Sequence, residues 1–399
     1  MLFLVRYCSY CRSGNPFPEV AVQFTCASAQ AKILFRCKEH VGVFLISKAY
    51  EGSIDYFQVM DEGGNIDQSL FPKDVDDSKM VSMYKYMLLT RALDAKILSL
   101  QRQGRAATYA PSLGEEAVHI GCAFAMRKQD FFVPNFRQHG MYVVRGFPLD
   151  RFILYWKGFE EGDAVPQGFN GLSVSVPVGS QMPQGAGIAY AFKYKKRDAV
   201  AIAFVGDGGT SEGDFYESMN FGGVFKLPLI GLIENNQWAI SMPRNKQTAS
   251  KTLAQKGIAA GIACVQVDGN DMLAVYKAVQ DAIANAKNGP TLIEAVTYRM
   301  GMHTTSDDPT KYRPDADAEA WRKKDPIVRV RAYLTKKGLW NDVMEQQANE
   351  EQLKQIDEAV AKAEAFKPDP KSMFENVYSF MPEVLKQEED AAEAANFWR

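Results

Sequence analysis

The run Ala199-Val200-Ala201-Ile202-Ala203-Phe204-Val205-Gly206-Asp207-Gly208-Gly209 sets seven apolar residues directly against a glycine-rich turn holding one carboxylate. An unbroken apolar run of this length, ended by glycine, predicts a strand buried on both faces, as in a parallel sheet covered by helices. Downstream, residues 212–225 carry a helical pattern, 229–233 a second apolar strand, 264–267 a third, 272–286 another helix and 291–297 a fourth strand. Apolar strands alternating with helices predict an α/β fold, a mostly parallel sheet with helices on both faces. Upstream, a helix capped by Asp77 or Ser78 runs to about Gly104 and turns Met80, Met83, Tyr84, Met87 and Leu88 toward a core. A second helix starts near Glu115 and runs through Met126. Residues 160–180, rich in Gly, Pro and Val, read as loop, and loops this long in a compact domain are usually functional. From Glu319 the chain is charged and helical. The expected organisation is an extension outside the fold over 1–55, an α/β domain with a helical lead-in over 56–320, and a helical region over 321–399 packing on that domain.

The 399 residues are 46% apolar and 24% charged, ordinary for a globular protein with ample volume for a core. A net charge of −2 argues against a general nucleic-acid or anionic-membrane binder. No apolar run approaches the roughly 20 residues of a membrane span. The start, Met1-Leu2-Phe3-Leu4-Val5, is too short and lacks a basic stretch before it to read as a secretory signal. Residues 1–55 show no clean helical or alternating pattern. Basic residues outnumber acidic ones there, as in a targeting peptide, but Glu19 and Glu39 count against that reading. Four of the six cysteines (Cys8, Cys11, Cys26, Cys37) fall in this stretch, leaving Cys122 and Cys264 for the rest, a distribution that suits a reducing cytoplasm. Cys8 and Cys11 make a C-x-x-C pair, but Cys26 and Cys37 have the wrong spacing to complete a zinc ribbon or finger.

In a parallel sheet, ligands bind beyond the carboxyl ends of strands. Glycines at such an end let backbone N–H groups approach an anion, and a following helix adds positive partial charge. Asp207 adds a hard carboxylate oxygen there, and the next strand ends in Glu234-Asn235-Asn236. Neighbouring strands would place Asp207 and Asn236 side by side, suited to Mg²⁺ with phosphate oxygens completing its shell. A lone G-D-G or N-N is usually a simple turn. Their combination, Gly206-Asp207-Gly208, then 26 residues (209–234), then Asn235-Asn236, matches the thiamine-diphosphate fingerprint.

The segments 206–217, Glu234-Asn235-Asn236-Gln237-Trp238-Ala239-Ile240-Ser241 and Thr252-Leu253-Ala254-Gln255-Lys256 resemble the alpha subunit of the decarboxylase component of 2-oxoacid dehydrogenase complexes. The resemblance runs from about 56 to about 385, is nearest to the bacterial pyruvate type and next to the branched-chain type. It implies a thiamine-diphosphate-binding fold in which Asp207, the Asn236 side chain and the backbone carbonyl of Trp238 hold Mg²⁺. It implies that Gly206, Gly208 and Gly209 cradle the diphosphate, that Arg137 clamps it, and that the backbone at Val176 and Val178 touches the aminopyrimidine. Phe136 stands where the family usually has Tyr, so one phosphate hydrogen bond is lost, and the hydroxyl of Tyr109 is expected near the same phosphate. His303, in Tyr298-Arg299-Met300-Gly301-Met302-His303, reads from chemistry alone as a loop histidine, more often solvated than catalytic. The resemblance gives it a catalytic part, steadying the diphosphate and the cofactor-bound intermediate during transfer to the lipoyl group. His139 and His119 are expected to be structural. Thr304 occupies the place of a serine phosphorylated in animal relatives and is expected to be an unmodified loop hydroxyl.

The resemblance further implies decarboxylation of pyruvate and reductive acylation of lipoyl-lysine in the cytoplasm. It implies a separate beta subunit supplying a glutamate to the cofactor, an assembly of two alpha and two beta chains, and docking on a lipoyl acyltransferase core. Branched-chain 2-oxoacids or acetoin remain open as substrates: residues 307–313 and 337–340 lean toward pyruvate, the short 304–306 segment toward the branched-chain type. A self-contained transketolase-like enzyme would need a second domain that 399 residues do not reveal. An inactive scaffold subunit is countered by the presence of Asp207, Asn236 and His303.

Overall fold

The computed structural model describes the strands at 2–7, 20–25, 32–37 and 40–45 as backbone, and residues 50–375 and 377–396. The chain divides into two units, Met1–Ser53 and Ile54–Arg399. In the first, Leu2–Tyr7 pairs antiparallel with Val20–Thr25, and Lys32–Cys37 with His40–Leu45. No strand pattern is legible in the sequence of this unit. A run such as Val20-Ala21-Val22 is apolar without alternation, so its period gives no signal. Cys8, Cys11 and Cys26, with the zinc question they raise, lie outside the described residues.

Within the second unit, six strands form one sheet: β1 (Tyr56–Phe57), β2 (Phe131–Val133), β3 (Ala201–Gly206), β4 (Leu229–Asn235), β5 (Ala263–Asp268) and β6 (Thr291–Val296). Their order is β1-β5-β6-β4-β3-β2 and every pairing is parallel. The alternation of side chains across the pleat sorts the apolar residues to two faces. Ile202 and Phe204 of β3, Ile230 and Leu232 of β4, and Ile293 and Ala295 of β6 pack into one core with α1 (Asp77–Arg102), α2 (Glu116–Ala125) and α5 (Met272–Asn285). Ala201, Ala203 and Val205, with Leu229 and Ile233, pack into the other with α3 (Gln181–Tyr194) and α4 (Gly213–Phe225). A run apolar at every position is therefore what a sheet covered on both sides demands.

The expected core side of α1 is observed, with Met80, Met83, Tyr84, Met87 and Leu88 all buried. Its cap is Asp76, whose side chain accepts from the backbone N–H of Lys79, and not Asp77 or Ser78, which lie in the first turn. The residues ahead of α1 supply the edge strand β1. They are tied down by Asp271, whose Oδ2 accepts the N–H groups of Val59 and Met60, both at 2.6 Å. Residues 160–180 are mostly loop, with one 3-10 turn at Glu160–Asp163. The helices α6 (Pro326–Lys336) and α7 (Asp342–Ala365) join the first core, where buried Arg329 donates to the Met60 carbonyl at 2.8 Å and to Asp268 at 2.7 Å. Among the described residues no helix is long and apolar enough to cross a membrane.

Candidate active site

β3 and β4 are neighbours in register, Gly206 opposite Glu234, so their carboxyl ends deliver the Asp207 turn and Asn236 to the same edge. Both residues line one cavity of about 310 Å³. Gly206, Gly208, Gly209, Phe136, Arg137, Val178, Trp238 and His303 line it too. Val176 does not. It lines an adjoining, mostly apolar cavity of about 570 Å³ that shares Phe136, Val178, Ile240 and His303 with the first. Val176 and Val178 are 56% and 55% exposed, unusual for valine beside a cavity.

Asp207 is 2% exposed, and its Oδ2 has no hydrogen-bond partner among the described residues. Burial pushes its carboxyl up to about 6, against the pull of the Gly208 N–H and the Arg299 guanidinium. A buried carboxylate oxygen left unpaired is costly, and a hard cation removes that cost. Beyond it the backbone makes a 3-10 turn, Gly208–Ser211, in which a β-carbon on Gly208 would lie 2.7 Å from Ala239 and one on Gly209 2.6 Å from Val205. Side chains are thus excluded at two positions that line the cavity. Lys256 braces the turn from behind, donating to the Thr210 carbonyl at 2.9 Å and to its hydroxyl at 2.8 Å.

Asn236 is buried. Its Nδ2 donates to Glu115 at 3.0 Å and its Oδ1 accepts the Trp238 N–H at 3.2 Å. The Trp238 carbonyl accepts from Arg299 at 3.3 Å. The orphaned oxygen, the glycine turn and the all-oxygen donor set fit a divalent cation with a diphosphate.

Arg137 and Arg299, both buried, converge on His303. The Nδ1 of His303 lies 3.2 Å from Arg137 and 3.4 Å from Arg299. Guanidinium groups only donate, so Nδ1 is the acceptor and Nε2 carries the hydrogen. Burial and the two cations hold this imidazole down to about 4, neutral at physiological pH. Its loop is pinned by the His303 N–H to Asp307 at 2.8 Å and by Arg299 to the Tyr312 hydroxyl at 2.8 Å. Phe136 stands edge-on to the imidazole at 5.9 Å and also faces the Arg137 guanidinium, 5.3 Å from its ring centre.

Tyr109 is a correction. It is fully buried, lines neither cavity, and its hydroxyl donates to Asp94, so it offers nothing to a phosphate. His139 is structural: its Nε2 lies 2.7 Å from the Ala110 carbonyl and its ring stacks on Tyr109. His119 is more than packing. It lies 2.9 Å from Glu234 in a fully buried group with Glu115; burial pulls its pKa down, and the neighbouring carboxylates outweigh that and raise it. Glu115, Glu234 and Arg299 join the site without having been expected from the sequence. Arg299 sits in the same motif as His303 and could have been singled out, whereas Glu115 is 121 positions from Asn236 and carried no local signal.

This chain belongs to the dehydrogenase E1 component family, whose model matches residues 84–371. The family works with thiamine diphosphate and a divalent metal, the two groups that the cavity fits. Among its relatives, the protein named pyruvate dehydrogenase E1 component subunit alpha from Staphylococcus aureus strain Mu50 is 44% identical over 343 residues, covering 85% of this chain and 92% of the relative. The protein of the same name from Staphylococcus epidermidis strain RP62A is 43% identical with the same coverage.

Proposed function

We propose that this chain is the diphosphate-holding alpha subunit of a pyruvate dehydrogenase E1 component, acting in the cytoplasm with a beta subunit and a lipoyl acyltransferase core. The observation that carries this reading is the shared cavity: the unpaired Asp207 oxygen, the Gly208–Gly209 turn, Arg137 and His303 meet in one place on a chain 44% identical to such subunits. When bound, thiamine diphosphate supplies the electron sink that a 2-oxoacid needs to lose CO₂.

The chain's own work is to bind and orient. Asp207, Asn236 and the Trp238 carbonyl would hold Mg²⁺, the Gly208 and Gly209 N–H groups and Arg137 would hold phosphate oxygens, and Val178 would pack on the organic ring. Neutral His303 keeps its Nε2 hydrogen available for a developing negative charge, while Arg137 and Arg299 fix its ring. Exposed Val176 and Val178 suit a site whose other wall belongs to another chain.

The test is to reconstitute the chain with its beta subunit and compare kcat/KM for pyruvate and for 3-methyl-2-oxobutanoate. We expect pyruvate to be preferred by at least about tenfold, since one or two extra methyl groups are worth about 1–3 kcal/mol in a fitted pocket. A preference for the branched substrate would overturn the pyruvate assignment and leave the family intact.

A further inference from the structure

An asparagine side chain can present either end of its amide to a cavity, and the two ends are nearly the same size. A hard cation accepts only the oxygen. Something in the protein must therefore choose the end. Asn236 is 7% exposed, and its Nδ2 donates to the Glu115 Oε1 at 3.0 Å. Glu115 has no accessible surface. It stands immediately before helix α2, with its backbone N–H on the Ser112 carbonyl at 2.9 Å, and its Oε1 lies 3.7 Å from the Arg137 Nε. The same side chain lines the cofactor cavity.

We propose that Glu115 is a positioning residue: by accepting the Asn236 Nδ2 hydrogen it locks the amide with Oδ1 toward the cation. The inference rests on the reading of Asn236 as a metal ligand. A flipped amide would set its NH₂ group against a divalent ion, and would leave its oxygen facing the Glu115 oxygens. Outer partners that orient a metal ligand typically govern about 10- to 100-fold in metal affinity. What Glu115 contributes is an acceptor at a fixed place, a task a neutral amide oxygen can also perform. Direct ligation by the carboxylate would instead lose a charged oxygen in that exchange and weaken accordingly.

The experiment titrates Mg²⁺ into the alpha–beta complex at saturating thiamine diphosphate and follows binding by tryptophan fluorescence, since Trp238 lies in the network. Glu115→Leu is expected to weaken Mg²⁺ binding about 10- to 100-fold, while Glu115→Gln stays within about threefold of wild type. In an Asn236→Asp background both ends of the ligand are oxygen, so adding Glu115→Leu is expected to cost less than about threefold. If Glu115→Leu does not yield folded complex, Glu115→Met carries the same comparison, keeping the chain length without the acceptor. Wild-type affinity in the Leu or Met variant, equal losses in Gln and Leu, or an undiminished loss in the Asn236→Asp background would each overturn the inference. Asn236→Ala separates the two levels. Unchanged Mg²⁺ affinity there means that the metal-site reading itself has failed, whereas a loss there with none in Glu115→Leu removes only the positioning role.

Discussion

Asp207 carries an electrostatic cost in the cation-free chain. Its carboxyl is raised from 3.8 to about 6 by burial, so the folded state holds the proton more tightly than the unfolded chain does. That penalty is absent below the unfolded value and fully present above about 6, which at neutral pH amounts to something on the order of 1–3 kcal/mol. Asp207→Asn is therefore expected to raise the thermal midpoint of the cofactor-free protein at pH 7.5 while abolishing the further rise that Mg²⁺ and thiamine diphosphate give the wild type. Paired melting curves with and without both additives check it, and a midpoint in the Asp207→Asn variant that still climbs with Mg²⁺ would count against the ligand. His303 has the opposite sign. Its pKa is lowered from 6.5 to about 4, so the unfolded chain takes up a proton that the folded chain refuses as pH falls through that window. Stability contributed by the neutral ring is complete above about 6.5 and declines toward 4. His303→Asn is expected to shallow the fall of the melting temperature between these pH values, leaving the slope above pH 7 unchanged. His139, held down to about 3, adds to the same decline and stays in place in the variant, so the slope falls without vanishing.

At the scale of elements, the turn after β3 is where sequence and packing agree most closely. A β-carbon at Gly209 meets Val205 at 2.6 Å and Val178 at 3.2 Å, inside the distance at which neighbours must move. Gly209→Ala is expected to cost about 1–3 kcal/mol of stability by overpacking and to weaken cofactor binding at least tenfold, read by denaturant melts and by fluorescence titration. Elements of six or more residues with consistent chemistry were legible: β3, β4, β6, α1 and α5 fall within a few residues of where their patterns put them. The exceptions have physical causes. β1 and β2 are two and three residues long, too short for a period, and each is a strand only because β5 or β3 offers it a partner. Capping by Asp76 in place of Asp77 or Ser78 turns on one backbone angle, which three adjacent polar residues leave open to any of them.

For the molecule as a whole, the division at Ser53 and the exposed apolar residues set the expectations. Residues 54–399 contain the sheet, both cores and the cavity, so a chain starting at Ile54 is expected to melt within about 2 °C of the full-length protein, a shift that about 1–2 kcal/mol produces at this size. A larger drop in calorimetry would assign the first unit a share in the fold. Val176, Val178, Tyr190, Phe221, Val224 and Phe225 are each at least 38% exposed, and Tyr190, Phe221 and Phe225 form one aromatic cluster on α3 and α4. A contiguous exposed apolar cluster of this kind marks an interaction surface.

Read as a bare string of residues, the chain already specifies the α/β class, the two strand ends that bear Asp207 and Asn236, and the chemistry those residues imply, because each rests on neighbours in the chain: an apolar run, a glycine turn, a helix start. Which expected side chains miss the cavity, and which unexpected one reaches it, was settled by folding alone. Tyr109 turns to Asp94, Val176 to the adjoining cavity, and Glu115 to Asn236 across 121 positions. Those choices depend on which buried donor finds which acceptor once the elements have packed, and burial makes an unmet partner too costly to leave, a constraint that no local pattern encodes.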